Sequence, residues 1–112
     1  MDQISLESRR EGERIVIALA GELDLASASG LVEAARTALA GPGVSELHID
    51  LSNVTFVDST GLGALVEINA TAAAQEKIFA LLNPAAQARK LLRTTNVEST
   101  LTIEYESDTP DD

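Results

Sequence analysis

The sequence reads as a small α/β domain in which a mixed, mostly parallel sheet of about five strands is packed with helices. Short segments rich in β-branched residues alternate with segments whose apolar residues recur at spacings of three and four. Helical segments separate the later strands, an order that lets those strands pair in parallel through crossovers. Apolar residues make up 45% of the 112, yet aromatics are only 3% and Trp is absent, so Leu, Ile, Val and Ala must build the core. That composition suits helices on a sheet better than an aromatic stacking surface for nucleic acid.

Ile4–Ser8 alternates apolar and polar as a half-buried strand does, Glu11-Gly12 signals a turn, and Arg14–Ala20 is the second arm of a hairpin. Gly21-Glu22-Leu23-Asp24 ends that arm. Leu31, Ala34, Ala35, Ala38 and Leu39 then mark one helix face, with Ser27 placed to cap it and Gly41-Pro42-Gly43 to stop it. Glu46–Leu51 is the next strand. Val54, Phe56 and Val57 lead into Asp58, and Leu62, Leu65, Val66 and Asn69 resume helix spacing from a start near Ser59 or Thr60. Lys77–Leu82 is a strand, and Asn83-Pro84 reads as an N-cap and first helical residue. Ala85, Ala88, Leu91 and Leu92 form that helix's face, and Leu101–Tyr105 closes the sheet. The expected domain spans residues 1–106, and 107–112 is expected to be a flexible acidic tail.

The formal net charge of −10 argues against nucleic acid, whose phosphates call for Lys and Arg, and favours basic protein surfaces. Cysteine is absent, which excludes disulfides and thiolate-bound metal; no metal ligands or cofactor are assigned. No apolar run reaches the length of a membrane span, and Met1-Asp2-Gln3 does not begin a signal peptide. The expected location is the cytoplasm. Arg89, Lys90 and Arg93 form one basic cluster, read as a solvated helix face with cations near its C-terminal end.

The chemistry concentrates at Asp58-Ser59-Thr60-Gly61-Leu62-Gly63, where strand period gives way to helix period. Asp58 or Ser59 can accept the free N–H groups of a first helical turn. Two glycines there suggest a close approach to the backbone. Catalysis fits poorly. Ser59 interrupts any Asp-Thr-Gly, and a Ser nucleophile needs a base, whereas the only histidine, His48, sits inside a strand. Gly61-Leu62-Gly63 resembles the start of a dinucleotide loop, but Val66 occupies the third glycine position and no phosphate-binding lysine follows. A helix N-terminus is, however, well suited to receive a phosphoryl group on Ser59 or Thr60.

The segment DLSNVTFVDSTGLGAL resembles the signature of STAS domains of the anti-sigma factor antagonist family, and IALAGELDLASA resembles that family's other marker. The likeness runs from about Ile4 to Tyr105 and includes ALLNPAAQARKLLRTTNVEST. It implies a non-enzymatic switch that binds an anti-sigma factor with serine kinase activity and so frees a sigma factor. The kinase phosphorylates the antagonist, the complex parts, and a PP2C-type phosphatase restores it. In the family pattern the acceptor directly follows the Asp, which gives Ser59 rather than Thr60. The implied partner surface comprises Glu22, Asp24, Asp58, Ser59, Thr60, Gly61, Leu62 and Gly63. Leu62 is also placed by its spacing to serve the core. The alternative is a STAS scaffold, or a subunit of a stressosome-like or lipid-transport complex, with no phosphorylation cycle.

Overall fold

The computed structural model describes residues 4–106, so the expected tail at 107–112 lies outside the described residues. The strands are β1 (Ser5–Glu11), β2 (Arg14–Leu23), β3 (Glu46–Val57), β4 (Ile78–Leu82) and β5 (Ile103–Glu104). The helices are α1 (Leu25–Leu39), α2 (Ser59–Ala74) and α3 (Ala86–Thr94), and a 3₁₀ turn covers Val97–Ser99. The strands form one sheet in chain order; β1 is antiparallel to β2, and β2 through β5 run parallel. The expected mostly parallel α/β sheet is therefore what the chain forms.

Strand period sorts the sheet into two faces. Ile17, Leu19, Leu47, Ile49, Leu51, Phe79 and Leu81 share a single core with Leu31, Ala35 and Leu39 of α1, Leu62, Leu65 and Ile68 of α2, and Ala88 and Leu92 of α3. All three helices therefore pack on one face. On the other face Val16, His48, Ala80 and Leu82 are buried without joining that core.

Two strands run further than expected. β2 continues through Gly21-Glu22 to Leu23, and β3 continues to Val57. The pairing moves from Ala18↔Asp50 to Ala20↔Asn53, and from Gly21↔Val54 to Glu22↔Phe56, so β3 carries an extra residue at each step. Such bulges break strict alternation. They bury Val54 and Val57 while leaving Phe56 42% exposed.

Three local assignments are corrected. Asp24, not Ser27, is the N-cap of α1; Ser27 is the N3 partner in a capping box. Asn83-Pro84 does not start α3, whose N-cap is Ala85 without a side-chain cap. Asn83 instead adopts φ +53, donates its N–H to the Glu104 carbonyl (2.8 Å) and accepts the Glu106 N–H on Oδ1 (2.8 Å). It ties β5 to the end of β4, and β5 accordingly shrinks to two residues paired with Leu81 and Leu82. Asn96 takes the left-handed conformation, at φ +61, and α2 runs to Ala74 before Glu76 turns the chain at φ +61.

β4 accompanies β3 only as far as Asp50↔Leu82. Beyond that point a side chain of α3 takes over. The Gln87 Oε1 accepts the Val57 N–H (2.8 Å) and its Nε2 donates to the Val57 carbonyl (3.0 Å). One amide thus imitates a neighbouring strand at the residue before Asp58. Gln87→Ala should lower stability by about 1–2 kcal/mol in urea unfolding. Gln87→Glu should also be destabilising, because a carboxylate accepts the N–H but has nothing to donate to the carbonyl.

Candidate partner-binding site at the strand–helix joins

β2 and β3 are parallel neighbours, and each is followed by an Asp that caps a helix. The register pair Leu23↔Val57 sets Asp24 and Asp58 side by side. Asp24 is extended (φ −142°), and its Oδ1 accepts the Ala26 N–H (3.1 Å). The Ser27 hydroxyl accepts the Asp24 N–H (3.0 Å) and donates to the Glu22 carbonyl (2.9 Å). Asp58 is also extended (φ −104°), and its Oδ1 accepts the Gly61 N–H (2.8 Å). The Asp58 N–H donates to the Leu23 carbonyl (3.2 Å), so the start of α2 is tied to the end of β2.

This geometry separates the residues of the opening motif. Ser59 is the first residue of α2 and is exposed, as are Thr60 and Gly63. Gly61 is buried: a Cβ there would stand 2.3 Å from the Leu23 carbonyl oxygen and 2.8 Å from its Cγ. The close approach that glycine permits is therefore made by the protein's own β2, not by an outside molecule. Gly63 differs, since a Cβ there meets nothing within 4 Å. Leu62 is 6% exposed and belongs to the core. Gly61 and Leu62 thus position the site from below, while Ser59, Thr60 and Gly63 form its surface.

The surrounding chemistry is acidic and apolar. Glu22 is exposed opposite Phe56, and Asp24 and Asp58 are half-buried. Leu25, directly after the Asp24 cap, is 75% exposed, and Phe56 projects at the end of β3. Neither was singled out from the sequence. The available signal for Leu25 was an apolar residue directly after a capping Asp; for Phe56 it was a spacing of three between Val54 and Val57. A shallow groove between α1 and α2, lined by Ser29, Val32, Thr60, Gly63 and Glu67, continues the surface. By helix geometry the N–H groups of Ser59 and Thr60 have no partner within α2, and the helix end carries partial positive charge. His48 is buried within β3 on the face away from the helices and offers Ser59 no base.

A mostly parallel five-stranded sheet edged by one hairpin and packed with three helices matches the fold of a STAS domain. A family model described as Mlab, STAS domain, matches residues 6–103, and the chain belongs to this family. Solved structures share the fold. SpoIIAA, an anti-sigma factor antagonist, is similar in its unphosphorylated form (22% identity, TM-score 0.78, 93% of this chain and 90% of that one). The phosphorylated form of SpoIIAA, from Bacillus, is similar as well (22% identity, TM-score 0.73, 93% of each chain). A putative anti-sigma factor antagonist from Thermotoga maritima gives 21% identity and a TM-score of 0.82, over 92% of this chain and 87% of that one. An anti-sigma factor antagonist from Mycobacterium paratuberculosis gives 25% identity and a TM-score of 0.76, over 95% of this chain and 88% of that one.

The two glycines should respond oppositely to alanine. Gly61→Ala forces the α2 backbone off Leu23 and should cost about 1–3 kcal/mol or more in denaturant unfolding. Gly63→Ala fills open space with a better helix former and should raise stability by up to about 1 kcal/mol.

Proposed function

We propose that this protein is an anti-sigma factor antagonist, a non-enzymatic binding module switched at Ser59. Unphosphorylated, it binds an anti-sigma factor that has serine kinase activity and thereby releases a sigma factor. Phosphorylated on Ser59, it lets the partner go, and a PP2C-type phosphatase resets it. The observation that carries this reading is the exposed Ser59 hydroxyl at the first position of α2, flanked by the half-buried caps Asp58 and Asp24. The similar protein SpoIIAA, an anti-sigma factor antagonist whose unphosphorylated form and phosphorylated form both share this fold, supports it.

The surface suits that task. A partner would meet apolar anchors in Leu25 and Phe56, a flat patch at Gly63, and carboxylates at Glu22, Asp24 and Asp58 that match a basic face. Phosphorylation adds roughly −1.5 to −2 charge beside Asp58. The group projects outward from the helix start, so its charge falls on the interface rather than on the core.

Incubation with a candidate anti-sigma kinase and ATP should add one phosphate to the wild type and none to Ser59→Ala, read by intact mass. Ser59→Ala should bind the partner like wild type, whereas Ser59→Asp should bind at least about tenfold more weakly, a loss on the order of 1.4 kcal/mol. Equal labelling of Ser59→Ala would displace the assignment to another residue. Partner binding that never leads to phosphate transfer would favour the scaffold reading.

A further inference from the structure

On the face of the sheet that the helices leave, His48 is 2% exposed, and the sequence contains no other histidine. Its Nε2 lies 2.5 Å from a carboxylate oxygen of Glu46. Its Nδ1 is buried with no hydrogen-bond partner among the described residues. A buried polar atom left in that state costs free energy. Close by are two carboxylates from beyond the neighbouring strand: one donor atom each from His48, Glu104 and Glu106 lies within 4.8 Å of the others.

We propose that His48, Glu104 and Glu106 form a site for a divalent transition-metal ion of the zinc class, with Glu46 as the residue that orients the imidazole. Glu46 holds Nε2 as the protonated nitrogen, which leaves the lone pair on Nδ1 to coordinate. A carboxylate on the far ring nitrogen is the arrangement that fixes the tautomer of metal-bound histidines and strengthens them as ligands. Glu104 and Glu106 supply hard oxygen donors at the exposed mouth, and the imidazole selects against magnesium and calcium, which prefer all-oxygen shells.

The surrounding charges are compatible with a cation. Arg9 donates to Glu11 (2.6 Å), a bond that raises the Arg9 pKa and holds the Glu11 carboxyl below its usual range. The Arg9 guanidinium is thus held by Glu11, while the charges of Asp50 and Glu106 act on it more weakly. Arg14 Nε stands 3.9 Å from Glu46 Oε2, the same oxygen that His48 Nε2 touches, and Glu46 is not a ligand in this scheme. The site shares no residue with the Ser59 surface. Its ligands are scattered from the third strand to just past the fifth, a spacing that no metal-binding motif describes.

Zinc chloride titrated into the full chain by calorimetry should show one ion bound per chain. Glu104→Gln and Glu106→Gln, at exposed positions that folding tolerates, should each weaken binding at least about tenfold, and Glu46→Gln by about 10- to 100-fold. Glu33→Gln, on α1, should leave it unchanged. Because the chain has a single histidine, ¹⁵N-labelled imidazole reports on the site directly: free protein should show the Nε2–H tautomer, and zinc should move the Nδ1 resonance. Absence of zinc binding would overturn the proposal. So would binding that leaves the imidazole nitrogens unmoved, or that calcium reproduces at equal concentration, since both mean diffuse capture by surface carboxylates.

Discussion

The carbonyl of Leu23 is the point on which the site depends. It accepts the Asp58 N–H, and the Cα of Gly61 rests against it so closely that no side chain fits between them. Leu23 itself is fully buried and ends the strand that Asp24 follows. One residue thereby fixes where β2 ends, where α1 starts, and how α2 departs from β3. The Gln87 amide completes the constraint from the other side by holding Val57 where β4 no longer reaches. With both flanks of β3 secured, Asp58 and Ser59 emerge at a defined height beside Asp24. A loop of the same composition without these supports would present the same hydroxyl with no fixed direction.

Much of this was legible in the chain. The alternation of strand and helix periods gave the element order, and the three-and-four spacing of Leu31, Ala35, Leu39, Leu62, Leu65, Ala88 and Leu92 marked residues that do reach the core. What failed did so for local physical reasons. Val54 and Val57 are three residues apart because bulges interrupt β3, so period-two reading ended the strand early and passed over Phe56 as a surface residue. Asn83 followed by Pro84 carries the residue types of a helix start, but Asn83 has tertiary partners in Glu104 and Glu106 that outweigh local capping. Ser27 and Asp24 are both good caps by type, and only the extended backbone at Asp24 decides between them. The glycines of the motif looked alike in sequence. The difference between a glycine required by Leu23 and one facing open space is a fact of packing.

The two faces of the sheet divide the chemistry. The helix-covered face carries the apolar core and, at its edge, the acidic surface around Ser59. The other face buries its central residues beneath a layer of charged side chains, with Arg9, Arg14, Glu11, Glu46, Asp50 and Glu106 close enough to interact around His48. A net charge of −10 affects both faces, through repulsion of any added phosphate on one and attraction for a cation on the other.

In the proposed switch, the placement of Ser59 at the first position of α2 decides where the energy of phosphorylation is felt. The Gly61 N–H is already taken by the Asp58 carboxylate, so a phosphate on Ser59 does not replace the cap that starts the helix. It can reach only the helix-end N–H groups that face solvent, and the partial positive charge there offsets part of the repulsion from Asp58. The fold is therefore nearly indifferent to the modification. A partner resting on Gly63, Leu25 and Phe56 is not, because burying a doubly charged group against it requires desolvation that a surface already rich in carboxylates does nothing to relieve. A switch of this kind works when its charge is added just outside the cap, on a rigid element, with the glycine at position 61 locking that element to the sheet and the glycine at position 63 leaving the approach open.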